Sequence, residues 1–390
     1  MSSVGARNPT VAMIKKKPLL PQSARGMSCA VDEPPSINIL PAHTPALFEA
    51  AVRRAALHLR RGSVVVLPTE TVYGLAANAL NPEAVALLYS IKGRPANNPV
   101  IVHVSSLEMA RSCVQSWPES ASRLASAFWP GPLTLVLPRS TQIPDIVTAG
   151  GNTVALRFPS HPMMRAVIEA CGFPLAAPSA NLSSQVSPTT ASHCAQALEG
   201  RVTLIVDGGP CQIGIESTVI DLTLAEPRLL RPGMISADSI RAILMTDSST
   251  WPSGVGDAAP TMPGGEPLRS PGMFAKHYAP QARLLVWSWK NEQALQDRIA
   301  TMSPEQDPVH VIAHTEIPLE LQRLRSPVGV SVIPHDPEAF GRALYSELHD
   351  CDARGVTTLI IETVPNSPRW EGIADRLRRA ASEFETGRIE

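Results

Sequence analysis

Hydrophobic positions in residues 45–232 alternate between helical and strand-like periods. Residues 47–61 carry apolar side chains at helical spacing, and a β-branched run at 63–68 follows them, which predicts a helix and then a buried strand. Asn81-Pro82 predicts a helix start, because Asn caps free amides and proline fits the first turn, and Gly93 predicts its end. Further strands are expected at residues 100–104, 153–158, 175–177, 203–206 and 217–222. The pattern therefore indicates a strand-rich α/β domain.

A second α/β unit is expected near the end of the chain. Proline, glycine, serine and aspartate dominate residues 247–272, which predicts an extended linker. Beyond it, strands are expected at 284–289, 309–313, 328–333 and 358–364, with helices at 337–351 and 370–383. This alternation favours a parallel, Rossmann-like sheet. No G-x-G-x-x-G sequence follows these strands, so a dinucleotide site there lacks its usual support.

The chain divides into four expected segments. Residues 1–44 are basic up to Asp32 and rich in proline and serine, so we expect a disordered N-terminal extension. A transit peptide, or a true start at Met13 or Met27, are the alternatives. The other boundaries are expected at 45–235 for the first domain, 236–280 for the linker and 281–390 for the second domain.

Composition narrows the class of protein. The 390 residues are 44% hydrophobic and 18% charged with a net charge of −1, which fits globular domains and excludes a wholly basic nucleic-acid coat protein. The longest apolar runs, such as residues 64–67, are far shorter than the roughly 20 residues of a membrane helix. The six cysteines form no C-x-x-C pair, which argues against a zinc ribbon and predicts a reducing, cytoplasmic location.

Polar residues gather where the first predicted strand ends, in the segment PTETVYGL at 68–75. As a continuing strand it would place Thr69, Thr71 and Tyr73 on one face and Glu70 on the other. Two hydroxyls, an acid and a Tyr-Gly turn suit a core poorly, so the segment is a candidate site. An edge strand rich in threonine is the alternative.

Basic side chains in rigid positions suggest anion binding. Arg94 lies between glycine and proline, where its planar group suits bidentate phosphate contacts, and Lys92 ends the preceding helix. Arg157 shares a strand face with Thr153 and is suited to anchor a carboxylate. Solvated surface arginines, and a core histidine at His103, are the alternatives.

Two further loops present hydroxyls and backbone amides that can surround an anion. Their polar members are Ser179, Asn181, Ser187, Ser217 and Arg231. Arg231 precedes Pro-Gly, so it repeats the rigid setting of Arg94. Together the segments suggest a nucleotide pocket without a Walker loop, although the composition also describes ordinary loops.

Taken in order, these motifs resemble the threonylcarbamoyl-AMP synthase family in its long, two-domain form. The matching segments are PTETVYGL at 68–75, KGRP at 92–95, VHV at 102–104, RFP at 157–159, STVID at 217–221 and RPG at 231–233. The tail adds KHYAP at 276–280 and DRL at 375–377. The resemblance implies an α/β fold: a YrdC-like catalytic domain with a twisted mixed sheet, a linker returning over the active site, and a smaller Rossmann-like C-terminal domain.

The resemblance also implies an enzyme, a nucleotidyltransferase. Its reaction would convert L-threonine, bicarbonate and ATP, with Mg²⁺, into L-threonylcarbamoyl-AMP, pyrophosphate and water. A downstream complex would pass the group to adenosine 37 of tRNAs reading codons that begin with A. The implied L-threonine contacts are Thr71, His103, Arg157, Ala177 (through its backbone) and Ser217. The implied ATP contacts are Lys92, Arg94, Asn98, Thr153, Ser179, Asn181, Ser187 and Arg231. No nucleophilic Ser or Cys is assigned, and no membrane partner is expected.

Three other interpretations stay open. An RNA-binding module is disfavoured by a net charge of only +2 over residues 45–235, which still allows a weak tRNA contact. A carbamoyl-adenylate enzyme of hydrogenase maturation would share the YrdC-like fold, but it would carry zinc-finger modules, and no C-x-x-C is present. A regulatory scaffold would use the second domain to bind partners. For Tyr278, a lid over the pocket and simple linker packing are equal alternatives.

Overall fold

A ten-stranded mixed sheet organises the N-terminal part of the protein. The computed structural model describes residues 36–244, 277–302, 308–323 and 328–386. The strands of the sheet are β1 (Asn38–Pro41), β2 (Val65–Leu67), β3 (Gly74–Asn78), β4 (Ile101–His103), β5 (Leu133–Pro138), β6 (Thr153–Arg157), β7 (Leu175–Ala176), β8 (Leu204–Asp207), β9 (Thr218–Asp221) and β10 (Arg228–Arg231). Their order is β1-β8-β2-β3-β7-β4-β6-β5-β9-β10, with parallel and antiparallel neighbours. The expected mixed sheet is confirmed.

Helices cover both faces of this sheet, because successive side chains of a buried strand point to opposite sides. Val65 and Leu67 of β2 pack with Leu59 and Met163 on one face. Val66 packs on the other face, in the same cluster as Leu88. The helices are α1 (Pro45–Arg60), α2 (Pro82–Lys92), α3 (Leu107–Ser112), α4 (Glu119–Phe128), α5 (Pro162–Cys171), α6 (Ala191–Ala197) and α7 (Ala237–Leu244), with a 3-10 turn at Asp145–Thr148.

The ends of α2 follow the sequence prediction and set the position of two candidate site residues. The Asn81 side chain accepts a hydrogen bond from the Ala84 amide at 3.0 Å, and proline occupies the first turn. Gly93 ends the helix with a φ of +58°, a left-handed conformation that glycine adopts without a steric penalty. Local capping therefore places Lys92 on the last helical turn and Arg94 in the loop beyond it.

A five-stranded parallel sheet forms the C-terminal part, as predicted. Its strands are β11 (Arg283–Trp287), β12 (Val309–Ala313), β13 (Val328–Val332), β14 (Thr358–Glu362) and β15 (Glu383–Phe384), in the order β13-β12-β14-β11-β15. Its helices are α8 (Glu292–Ala300), α9 (Leu319–Arg323), α10 (Pro337–Ala353) and α11 (Glu371–Ala380). Leu284 and Leu285 are neighbours in β11 but pack in different clusters, with Phe340 and Leu295 respectively, so both faces are covered.

A glutamate side chain lies at the carboxyl edge of this second sheet and accepts backbone hydrogen bonds there. The Glu362 carboxylate accepts hydrogen bonds from the backbone amides of His314 at 2.7 Å, Thr315 at 2.8 Å and Glu316 at 3.1 Å. Backbone amides at this position bind nucleotide phosphates in dinucleotide-binding folds. In this protein the Glu362 side chain occupies these amides, which agrees with the absence of a G-x-G-x-x-G sequence after the strands of the second sheet.

Two expected segment boundaries need correction. Asn38–Pro41, placed by the sequence in a disordered extension, forms β1 and pairs with Leu204–Asp207 in parallel, so the sheet begins before residue 45. Ala237–Leu244, placed in the linker, is the helix α7, and Ile240 lies within the core. The rest of the extension, residues 1–35, and linker residues 245–276 lie outside the described residues. The described residues, from 36 onward, belong to one compact unit.

The strand predicted to run through residues 63–68 and on into 68–75 stops at Leu67, and the alternation proposed for Thr69–Tyr73 is wrong. The Thr69 hydroxyl accepts hydrogen bonds from the amides of Thr71 and Val72, both at 3.2 Å, which bends the chain before β3 begins. Residues 69–73 therefore form a turn, and side chains there no longer alternate between two faces. No helix in the described ranges is long and apolar enough to cross a membrane.

Candidate active site

A cleft of about 540 Å³, counted to its open mouth, lies where several strands of the large sheet end. The parallel pair β4 and β6 places His103 directly beside Arg157 at the carboxyl ends of both strands. The predicted site residues that line the cleft are Thr71, Arg94, His103, Arg157, Ala177, Ser179, Ser217 and Arg231. The fold thus gathers motifs that are far apart in sequence into one site.

Arg157 is buried at the inner end of the cleft and is fixed from several sides. Its Nη1 donates to the Thr71 hydroxyl at 2.8 Å, and its Nε donates to the Gly131 carbonyl at 3.3 Å. Its Nη2 lies 2.8 Å from Glu70 Oε1 as an ion pair. Burial would raise the pKa of Glu70, but the adjacent guanidinium holds that pKa below its ordinary value. The result is a rigid cation that can receive a carboxylate from the cleft.

His103 is a neutral imidazole beside that cation. It is 3% exposed, and burial together with the charge of Arg157 lowers its pKa to about 3. Its Nδ1 has no hydrogen-bond partner among the described residues. A buried ring nitrogen without a partner is rare in a core, so His103 is better suited to contact a ligand than to serve as a packed core histidine.

Lys92 supports the loop that carries Ser179 and Asn181. Its buried Nζ donates to the backbone carbonyls of both residues and lies 3.3 Å from Asn181 Oδ1. Burial lowers its pKa well below the ordinary lysine value, and the neighbouring Arg94 adds to this. Lys92 and Asn181 are not lining residues of the cleft; they shape the loop that does line it.

Arg94 is held in the rigid form that the sequence suggested. Its Nε donates to the Asn98 carbonyl at 2.9 Å, and its Nη2 donates to Asn98 Oδ1 at 2.7 Å and to the Pro99 carbonyl at 2.6 Å. Asn98 acts on the cleft through this arginine. A guanidinium anchored on neutral oxygens keeps its positive charge for an anionic ligand.

Arg231 stands across the cleft on Ser217. Its Nε donates to the Ser217 carbonyl at 3.0 Å, and its Nη2 donates to the Ser217 hydroxyl at 3.1 Å. That hydroxyl is also 2.7 Å from the hydroxyl of Thr134. Two arginines, Arg94 and Arg231, therefore supply positive charge to the cleft in addition to Arg157.

Glu216, which the sequence analysis did not select, also lines the cleft. Ser187 reaches the site through it, since the Ser187 hydroxyl donates to Glu216 Oε1 at 2.5 Å. Burial would raise the pKa of Glu216, but the guanidiniums of Arg376 and Arg231 hold it well below the ordinary value. The signal was available, because an acid directly precedes the Ser-Thr pair of the STVID segment.

His277 and Tyr278, at the end of the linker where the described chain resumes, line one side of the cleft. Tyr278 is 1% exposed and has a left-handed φ of +63°, which costs a non-glycine residue on the order of 1–3 kcal/mol. Its ring packs 5.2 Å from the Arg376 guanidinium and 6.1 Å from the Tyr345 ring. Tyr278 therefore lines the pocket and is also packed in a core cluster, so both sequence alternatives stay open and a lid movement remains a prediction.

Thr153 is the predicted contact that the structure does not bring to the cleft. It begins β6, whereas Arg157 ends the same strand, and it pairs with Pro138. At about 3.3 Å per residue, the two positions lie at opposite ends of the strand. Its assignment rests on the motif alone.

The comparisons with known proteins identify the family of the chain. A family model described as "Telomere recombination" matches residues 58–233, and one described as "Threonylcarbamoyl-AMP synthase, C-terminal domain" matches residues 235–382. The threonylcarbamoyl-AMP synthase of Pyrococcus abyssi is 38% identical over 336 residues, covering 85% of this chain and 94% of that protein. The threonylcarbamoyl-AMP synthase of Bacillus subtilis is 39% identical over 339 residues, covering 85% and 92%.

The solved structures give the same result. The crystal structure of P. abyssi Sua5 complexed with L-threonine has a TM-score of 0.78 to this chain at 36% identity, covering 91% of this chain and 100% of that one. A P. abyssi Sua5 structure with an adjacent histidine and tyrosine both replaced by alanine has a TM-score of 0.77 at 35% identity. With both family models matched in order, the chain belongs to the threonylcarbamoyl-AMP synthase family.

Proposed function

We propose that this protein forms L-threonylcarbamoyl-AMP and pyrophosphate from L-threonine, bicarbonate and ATP. The observation that carries the proposal is a single cleft with three arginines in its lining: the buried Arg157 guanidinium beside neutral His103, and the guanidiniums of Arg94 and Arg231. We assign the part around Arg157 to an amino acid with one carboxylate, as the L-threonine half, and the part with Arg94 and Arg231 to a triphosphate with several charges, as the ATP half.

L-Threonine would bind with its carboxylate on Arg157. The Thr71 hydroxyl and the backbone at Ala177 would contact its polar groups, and neutral His103 would act as a hydrogen-bond partner without adding charge. Ser217 lies 2.7 Å from a second hydroxyl, Thr134, so this wall would read the hydroxyl of the substrate. These contacts account for an amino acid with a short polar side chain.

ATP would occupy the half that contains Arg94 and Arg231. Asn98 holds Arg94, Lys92 and Asn181 hold the Ser179 loop, and Ser187 holds Glu216, so these residues would act mainly by shaping the nucleotide site. The Thr153 contact stays part of the proposal on motif grounds only. Together these groups would offset the charge of the triphosphate.

The chemistry would proceed by positioning and electrostatics. The threonine amine and bicarbonate give the carbamate and water; a carbamate oxygen then bonds to the α-phosphorus as the bond to the β-phosphate bridging oxygen breaks and pyrophosphate leaves. No covalent enzyme intermediate is needed. Burial raises the pKa of both Cys194 and Cys211, so these thiols stay protonated and are poor nucleophiles.

Mg²⁺ would arrive with the triphosphate. No cluster of three His, Cys, Asp or Glu side chains in the described part of the chain is arranged to hold a metal ion. Glu216 in the cleft lining and Glu70 beside Arg157 are already paired with arginines. Magnesium commonly keeps several waters and binds through substrate phosphates, which fits this residue set.

The product would be consumed by a downstream complex that transfers the threonylcarbamoyl group to adenosine 37 of tRNAs reading codons that begin with A. A weak direct tRNA contact is also part of the proposal, and it predicts salt-sensitive binding. A reducing, cytoplasmic location is supported by the five described cysteines, which are all buried free thiols.

The test is pyrophosphate release from ATP, with L-threonine and bicarbonate omitted in turn. We expect release only when both are present. Arg157→Lys should raise the KM for L-threonine at least tenfold, because an ammonium cannot make the same planar contacts. Arg53→Lys, at an exposed arginine of α1, is the matched control and should change nothing. Release without threonine would refute the proposal.

A further inference from the structure

One arginine of the C-terminal part contacts Glu216, a residue that lines the cleft. Arg376 of α11 is 1% exposed. Its Nε donates to Glu216 Oε2 at 2.7 Å, its Nη2 to the Glu216 carbonyl at 3.1 Å, and its Nη1 to the Pro232 carbonyl at 2.8 Å. Its contact with Asp375 at 2.8 Å is within its own helix. Most of its hydrogen bonds therefore cross from one sheet domain to the other.

The residues that Arg376 holds are the immediate neighbours of the arginine pair already described. Glu216 precedes Ser217, and Pro232 follows Arg231. Arg231 donates to both the carbonyl and the hydroxyl of Ser217. A single guanidinium thus fixes the chain on both sides of the Ser217–Arg231 contact.

Glu216 is kept ionised and is turned toward the C-terminal part. Tyr345 of α10 donates its hydroxyl to Glu216 Oε2 at 3.1 Å, while Ser187 donates to Oε1. Burial would raise the pKa of Glu216, but Arg376 and Arg231 hold it well below its usual value. The cleft wall therefore contains a buried negative charge next to the positive charge of Arg231.

Such a charge would oppose a triphosphate unless another group balances it. If Arg231 were the main counter-ion of Glu216, its positive charge would be offset before any ligand bound. Arg376 supplies the main opposing charge from behind the wall, at 2.7 Å, so Glu216 offsets less of the positive charge of Arg231. Removing one partner of a buried pair leaves the other uncompensated, which is the costly case.

We propose that Arg376 is a positioning residue of the nucleotide site, through which the C-terminal domain balances Glu216 and holds the loop of Arg231. This inference deepens the proposed function and rests on it. The C-terminal domain then completes the wall of the cleft that carries Arg231, whereas Arg157 is held by Glu70, Thr71 and Gly131 of the first domain. Ser217 adjoins the residues that Arg376 holds, so loss of Arg376 should weaken both ligands, and ATP much more strongly than L-threonine.

The test is a double-mutant cycle in the full chain, with the affinities for ATP and L-threonine measured separately by calorimetry. Arg376→Gln should weaken ATP binding at least tenfold and weaken L-threonine binding by a much smaller factor. Adding Glu216→Gln to it should restore most of the ATP affinity, because no unbalanced charge remains. Arg378→Gln, at an exposed arginine of the same helix, is the matched control and should bind both ligands normally.

A purely structural role for Arg376 gives a different result. The double variant would then bind ATP no better than Arg376→Gln, or L-threonine affinity would fall in parallel, and either outcome would overturn the inference. If Arg376→Gln does not fold, Arg376→Lys replaces it, because lysine keeps the charge, and it should bind ATP with intermediate affinity. If Arg376→Lys bound ATP as tightly as the wild type, or lost L-threonine affinity to the same extent as ATP affinity, the inference would equally be overturned. The cycle measures binding, so a failure of threonine-dependent pyrophosphate release in the wild type would count against the proposed function alone.

Discussion

Replacing Glu70 by glutamine tests the carboxylate clamp without altering its arginine. The Glu70 and Arg157 side chains are 2% and 5% exposed, and their charges are 2.8 Å apart. At an effective dielectric constant of about 20, charges at that distance attract by about 6 kcal/mol. Breaking a buried pair typically costs about 3–5 kcal/mol, since the remaining charge stays desolvated. We expect Glu70→Gln to lower the free energy of unfolding by about 3 kcal/mol and Tm by about 4 °C.

L-Threonine should then stabilise the variant more than the wild type. In Glu70→Gln the buried Arg157 has lost its counter-ion, and the substrate carboxylate would replace it. The ligand would therefore recover part of the lost stability as well as contribute its ordinary binding energy. Thermal unfolding with and without saturating L-threonine measures both effects in one experiment.

The matched control is Glu49→Gln, because Glu49 forms an exposed pair with Arg53 in which both side chains are about 70% exposed. Exposed pairs contribute little, so its Tm should equal that of the wild type in both conditions. A Glu70→Gln variant that melts with the wild type would show that the pair does not carry the assigned energy. A threonine-induced Tm shift no larger than in the wild type would refute the clamp.

Three further predictions concern the same site. Lys92→Met should leave two buried loop carbonyls without their donor and lower the free energy of unfolding by about 2 kcal/mol. In the pyrophosphate assay, the KM of this variant for ATP should rise at least tenfold, while its KM for L-threonine is unchanged. Gly372→Ala would place a Cβ 2.7 Å from a backbone oxygen of the catalytic domain and should reduce ATP affinity, measured by calorimetry. Gly341→Ala should not, because its Cβ would come no closer than 3.4 Å to any neighbouring atom, which is an ordinary contact. Because the pKa of Glu70 is lower in the folded protein, ionised Glu70 stabilises the fold above its unfolded pKa of 4.5, and this stabilisation is lost as the pH falls through the folded pKa. As the pH falls below 4.5, the Tm of the wild type should therefore fall more steeply than the Tm of Glu70→Gln.

Interactions between near neighbours in the chain made much of the fold predictable. The α2 helix begins at an Asn cap with proline in its first turn and ends at Gly93, and each of these signals acts within a few residues. The alternation of apolar strands and helices after residue 281 likewise indicated a parallel sheet, because a crossover helix is the ordinary link between parallel strands. The motif arginines were identified as rigid for the same local reason.

Interactions between distant residues needed the folded chain. The turn at 69–73 replaced the expected strand, and Glu70 and Thr71 consequently both meet Arg157, which only the register of β4 with β6 brings to the cleft. Arg376 lies 160 positions from Glu216, and no periodic pattern encodes that pairing. Hydrophobic patterning determines which residues are buried and in which local conformation. The order of the strands and the docking of the two sheets determine which buried charges become partners, because those contacts depend on the packing of whole elements.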